Sequence, residues 1–197
     1  LKTAALKSLE AFAASVPLLL CFSRRIKDVS IELPSGISRY WWSEKSLSDV
    51  TRVTVGHSQM TSDDRQSSSQ RFLVFRDQEN GALVLGLDSH GVAKLETSFS
   101  TFWVTAPTRT HVGQGFAVNA DFNIDVGRTQ LADSEANCDV AHSLGRAVGP
   151  SLVELYGCSL SRWEDLRSDL GLSPNVRNVD FWRSFWSVIA EYRFGDD

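Results

Sequence analysis

Leu6, Leu9, Phe12 and Ala13 recur at three- and four-residue steps, which predicts an amphipathic helix over 1–14. Pro17 is expected to interrupt it, with 18–22 entering the core. Val29-Ser-Ile-Glu-Leu33 alternates with period two, Pro34-Ser-Gly36 carries turn chemistry, and 37–42 reads as the partner strand of a hairpin. Further strands are predicted at 50–56, 71–76, 82–87 and 99–105. Glu79-Asn-Gly81 joins the second of these to the third, and Pro107 ends the last. The polar, serine-rich segment 58–70 predicts a mobile surface loop.

The longest alternation runs through Phe116, Val118, Ala120, Phe122, Ile124 and Val126, an extended segment with one face buried, until Gly127 breaks it. Thr129-Gln-Leu-Ala then leads into a helical pattern, so Arg128 is expected at a junction between strand and helix start. Asp133 or Ser134 can cap the helix, whose apolar positions are Ala136, Val140, Ala141, Leu144, Val148, Leu152 and Leu155. Pro150 inside that pattern predicts a kink or a new start after Gly149. A short helix is expected over 163–170. Phe181, Trp182, Phe185, Trp186 and Ile189 define a last amphipathic helix whose aromatic stripe reads as core. Strands followed by helices argue for an α+β fold, with a sheet-rich part at 1–132 and a helical part at 133–197 packed on it as one unit.

Composition narrows the function. The 197 residues, 42% hydrophobic and 22% charged, suit a folded globular chain. A net charge of -4, with Arg24-Arg25-Ile-Lys27 as the densest positive cluster, does not favour nucleic-acid binding. Cys21, Cys138 and Cys158 lack paired spacing and read as reduced thiols in a cytoplasmic protein. The apolar run 16–22 is too short to span a bilayer and lacks the flanks of a signal peptide, so no membrane partner is expected. The four histidines (His57, His90, His111, His142) stand apart from other ligand types, which argues against a metal site. Gly113-Gln-Gly115 lacks the rest of a phosphate loop and reads as a turn. Asp121, Asp125, Asp133 and Glu135 fit no calcium-loop or catalytic-dyad spacing, and no Gly-x-Ser-x-Gly elbow occurs. Trp41 and Trp42 put one ring on each side of a strand, one for the core and one for an interface. The chain opens with Leu inside a helical pattern, which suggests a piece of a longer protein.

Arg128 remains the residue best suited to chemistry, because a guanidinium held rigidly is a permanent fork for phosphate or carboxylate. By spacing alone the default reading is an ion pair with a nearby carboxylate such as Asp125. The phrase Phe116-Ala-Val-Asn-Ala-Asp-Phe-Asn-Ile-Asp-Val-Gly-Arg-Thr-Gln-Leu131 resembles the middle segment of sacsin-like proteins and the related large heat-shock chaperones. Both belong to the GHKL superfamily of split ATPases, with gyrase and mismatch-repair proteins. Trp103-Val-Thr-Ala-Pro107-Thr108 upstream and the 137–155 helix downstream are similar too.

The resemblance implies a mixed sheet with a left-handed βαβ transducer-type core followed by C-terminal helices. It implies a non-catalytic middle domain that couples ATP binding and hydrolysis in an N-terminal domain of the same polypeptide to conformational change, with chaperone-like activity on protein clients. ATP and magnesium would be cofactors of the full-length protein only, and homo-oligomers are compatible with the family. Arg128 would reach the γ-phosphate, and Gln130 in the matching loop would face the nucleotide. The chain departs from the chaperones in having Gly127 for serine and Thr129 for an acid. It also lacks the Glu-x-x-x-Asn-x-x-Asp helix that supplies base and magnesium ligand, so by itself it is no complete ATPase. The alternative is a protein-interaction scaffold of the same fold with no part in hydrolysis.

Overall fold

The computed structural model describes residues 2–23, 25–47, 50–61, 64–77, 79–89, 92–96, 98–109, 115–127, 129–156 and 179–194. The fold is α+β. Helix α1 (Lys2–Phe22) precedes β1 (Asp28–Leu33), β2 (Gly36–Leu47), β3 (Val50–Met60), β4 (Arg65–Asp77) and β5 (Gly81–Leu87). The short strands β6 (Val92–Ala93), β7 (Phe102–Val104), β8 (Ala106–Pro107) and β9 (Phe116–Asn119) follow, then α2 (Glu135–Tyr156) and α3 (Val179–Phe194). One mixed sheet has the order β1-β2-β3-β4-β5-β9-β7-β8, with β6 beside β9 on β5. Its neighbours are antiparallel except β7 and β9, which are parallel.

Period-two alternation divides the sheet's side chains between two layers. Phe72, Val74, Val84, Ala117 and Trp103 face α1, together with Tyr40, Val53 and Val55. Leu73, Phe75, Leu83, Leu85, Phe116 and Val118 face the other way and share one cluster with α2 and α3. The expected aromatic stripe lies here: Phe181, Trp182 and Phe185 are buried, with Phe102 edge-on to Phe181 at 5.1 Å and Phe116 edge-on to Trp182 at 5.4 Å. The sheet-rich and helical parts therefore have a common core.

Four local expectations need correction. Helix α1 runs through Pro17 to Phe22. Proline inside a helix costs about 3 kcal/mol, but Val16, Leu18 and Leu20 are fully buried against the sheet, at roughly 1.5–3 kcal/mol each. The 16–22 run is thus the buried end of a longer helix, which over Thr3–Phe22 is long and apolar enough to cross a membrane by length and composition alone. Helix α2 likewise runs through Pro150 as one element, which overturns the new start expected after Gly149. Gly145 and Gly149 let α3 approach it closely: a Cβ on Gly145 would lie 2.7 Å from the Phe185 carbonyl oxygen, and one on Gly149 3.0 Å from the Tyr192 ring.

The described residues of the segment 58–70 are mostly strand, not loop. They form the outer half of the β3–β4 ribbon, paired from Met60↔Arg65 inward. The register is inherited from the apolar pairs nearer the core, such as Val53↔Phe72, and serine is compatible with a solvated strand. Thr61 and Asp64 close the tip, with the Asp64 amide donating to Thr61 Oγ1 at 3.1 Å. Finally, the extended segment from Phe116 stops as a strand at Asn119, where its partner β5 runs out at Ala82. Beyond it the chain leaves the sheet, and Thr129-Gln-Leu-Ala132 is not helical, because α2 begins only at Glu135.

The 34–36 turn and the Glu79-Asn-Gly81 turn form as expected, with positive φ at Gly36 and Gly81. Asp77 Oδ1 accepts from the amides of Glu79 and Asn80 in the second. Cys21 is buried and free, Cys138 is half-buried and free, and the Cys158 thiol lies outside the described residues, as does the helix expected at 163–170.

Candidate functional site

The excursion between β9 and α2 is built from the inside outward. Phe122 is buried, edge-on to Phe102 at 5.7 Å and to Phe181 at 5.7 Å, and so pins the first residues of the loop to the aromatic core. Leu131 is buried at the other end, and a bridge joins Ile124 to Leu131. Between these anchors the chain doubles back. The Asp125 amide donates to the Gln130 carbonyl at 3.0 Å, and the Ala132 amide to the Asn123 carbonyl at 3.0 Å.

Asp125 stiffens the tip. Its Oδ1 accepts from the Thr129 amide at 2.6 Å and the Gln130 amide at 3.2 Å, while its Oδ2 accepts from the Thr129 hydroxyl at 2.6 Å. The Thr129 hydroxyl, followed by the Thr129 amide, holds the Asp125 carboxyl below the usual range, because these donors favour the charged form. Val126 and Gly127 project into solvent at the tip. A Cβ on Gly127 would meet nothing closer than 3.4 Å, so the serine of the chaperone pattern would fit there.

Asn137, in the first turn of α2 and almost fully buried, ties the loop to the helix. Its Oδ1 accepts from the Asn123 amide at 2.8 Å, and its Nδ2 donates to the carbonyls of Asn123 at 2.8 Å and Ala132 at 2.7 Å. Ser134 caps α2, its hydroxyl accepting from the Asn137 amide at 3.3 Å. The Pro107-Thr108 step joins in from the other side. Thr108 is buried and donates through Oγ1 to the Phe102 carbonyl at 2.9 Å, and the next residue, Arg109, donates its amide to the Thr129 carbonyl at 2.9 Å.

Arg128 itself lies outside the described residues; after it Thr129 and Gln130 are tied to Asp125, while Val126 and Gly127 before it are exposed. Gln130 is exposed, its backbone engaged with Asp125. Sequence reasoning missed Asn137 and Arg109 as parts of this loop. Asn137 is marked only as a polar residue early in a helix, with partners 14 and 5 positions upstream, and Arg109 reaches Thr129 through a backbone contact that no spacing records.

A cleft of about 590 Å³ lies beside the loop at the start of α2, with Asp133, Glu135 and Asp180 among its walls. The cleft walls are acidic, with Asp180 paired to Arg183 at 2.8 Å. Among the described residues no three His, Cys, Asp or Glu side chains come together as a metal site requires. His57 is stacked on Tyr40 at 4.4 Å, and burial lowers its pKa. Gly115 is buried, and its carbonyl accepts from the Leu95 amide at 2.9 Å.

Comparison with protein-family models, with curated proteins and with solved structures gives no match to this chain.

Proposed function

We propose that this chain is the middle, transducer-type segment of a longer ATPase of the sacsin-like and heat-shock-chaperone kind, with Arg128 and Gln130 directed to nucleotide bound by an N-terminal domain of the same polypeptide. The observation that carries the reading is the bracing of the 123–132 loop: three hydrogen bonds to the Asp125 carboxylate on one level and three to the Asn137 amide on the next. A loop so tied is the setting that such a role requires, because a preorganised cation stabilises charge developing on a transferring phosphoryl group. Linkage of the turn to α2 supplies a route by which phosphate contact would move the helical layer.

The left-handed βαβ core is the finer part of the proposal. The described elements offer a parallel strand pair, β7 and β9, with α2 following. The connection between that pair passes through β8, and a helical crossover is not among the described elements. Magnesium, chaperone-like action on clients and a cytoplasmic location belong to the same proposal. The alternative, an interaction scaffold with no part in hydrolysis, draws support from the Trp41 ring, which is 41% exposed on the sheet.

Steady-state ATP turnover by the full-length protein separates the two. Arg128→Ala should lower turnover about tenfold or more while ATP still binds, with a smaller loss for Gln130→Ala. Turnover unchanged by Arg128→Ala would leave the scaffold.

A further inference from the structure

The register of β1 to β4 gathers cations that are scattered in the sequence. On the sheet face opposite α1, Trp41 stands across from Gly56 and Gly56 from Ser69, Lys45 across from Arg52, Arg39 from Ser58, Thr54 from Arg71, and Met60 from Arg65. Helix α2 packs against β4 and β5, and the outer part of this face is open: Arg39, Lys45, Arg52, Arg65 and Arg71 are all exposed. Among the described residues none of these five makes an ion pair. Among the described residues of these strands, Asp28 and Glu32 on the edge strand β1 and Asp77 at the far end of β4 are the acidic residues that share the face. A chain of net charge -4 thus presents one locally cationic surface, and its hydroxyls at Ser43, Thr54, Ser67 and Ser69 lie between the charges.

Trp41 sits within this field. Gly56 opposite it has no side chain, and a Cβ there would fall 2.4 Å from the indole, so the ring rests over the strand backbone. It remains 41% exposed, which leaves ring surface open among the cations.

We propose that this face binds single-stranded nucleic acid, with Trp41 stacking on a base and the five cations following the phosphates. Aromatic rings on an open sheet flanked by Arg and Lys are suited to unstacked bases, since every base offers a π-face. The surface is roughly 14 Å across four strands and roughly 27 Å along β2, which suits a short run of nucleotides and is too broad to enter a duplex major groove of about 12 Å. An anionic membrane is the poorer occupant, because the polar hydroxyl rows offer little to insert; Ile37, Trp41 and Met60 are its large exposed apolar groups.

The test is fluorescence anisotropy of a labelled oligo-deoxythymidine of about 12 nucleotides titrated with the full-length protein without ATP. Submicromolar to micromolar binding is expected at low salt. Trp41→Ala should weaken it by about 5- to 100-fold, and the pair Arg39→Glu with Arg71→Glu by tenfold or more. Removing each cation should lower the slope of log K against log salt by about 0.7. All three sites are exposed, so unchanged melting curves will show that the variants fold. Absence of binding at low salt, or binding that these variants leave intact, would overturn the proposal. So would equal affinity for duplex, or variant-sensitive binding to phosphatidylserine vesicles as tight as to the oligonucleotide.

Discussion

Replacing Asn137 by alanine tests the idea that one buried amide holds the 120–132 excursion to the helical layer. The side chain is 2% exposed and makes three hydrogen bonds of 2.7–2.8 Å to backbone groups. The Asn123 carbonyl keeps the Ala132 amide as a donor after truncation, so the groups left without a partner are the Asn123 amide and the Ala132 carbonyl. Asn123 is exposed and water can reach it, which discounts part of the loss. At about 1 kcal/mol per neutral hydrogen bond, the net destabilisation should be about 2–3 kcal/mol. For a chain near 200 residues that is a fall in Tm of about 5–10 °C, read by calorimetry or by circular dichroism. Hydrogen exchange supplies the local readout: the amides of Asp125, Thr129 and Gln130 should lose protection before those of β4 and β5. Asn137→Asp sharpens the reasoning, since it keeps the acceptor for the Asn123 amide but turns a carboxylate toward two carbonyl oxygens. It should be at least as destabilising as alanine at neutral pH. An alanine variant melting within about 1 °C of wild type, or an aspartate variant equal to wild type, would refute the bracing role.

Two further outcomes probe the layers on either side of the loop. Gly145→Ala puts a Cβ 2.7 Å from the Phe185 carbonyl oxygen, so α2 and α3 must separate, with an expected cost of about 1–3 kcal/mol in urea unfolding; an unshifted midpoint would show slack at that crossing. Thr129→Val removes the hydroxyl that most lowers the Asp125 pKa, and carbon-detected NMR titration should show that carboxyl moving up toward 3.8. The sign follows from the depressed folded value: the carboxylate contribution is present above the unfolded pKa and is lost as pH falls through the folded one, so the valine variant should lose less stability on acidification than wild type. An unchanged Asp125 titration would mean that the threonine hydroxyl is not its main partner.

Much of the fold could be read along the chain because strands buried on both faces stand out as continuous apolar runs. Phe72-Leu-Val-Phe75 and Ala82-Leu-Val-Leu85 are apolar throughout, and the two layers they feed are the two clusters observed. The errors fell where local chemistry was overruled from a distance. Pro17 and Pro150 are held in helices by packing against the sheet and against α3, which no window of neighbouring residues records. Serine-rich 65–70 looks like a loop by composition, yet pairs with β3 because the inner half of the ribbon fixes its register. The candidate turn was legible as a position, through Gly127 and the alternation that ends there, but its rigidity was not.

The same physics explains why composition pointed away from the cationic face. Net charge sums over the whole chain, whereas recognition samples one surface, and Lys45, Arg52 and Arg71 become near neighbours only once β2, β3 and β4 are in register. A one-residue slip would send every cation on the slipped strand to the α1 side and bring its apolar set outward. The apolar pair Val53↔Phe72 and the buried Val55 therefore set both the core and the cationic face, since Val53 and Val55 can be buried under α1 only if Arg52 and Thr54 point the other way. Core stability and surface charge pattern are in this sheet one constraint, so a substitution that loosens the β3–β4 register should weaken the face without touching any of its charges.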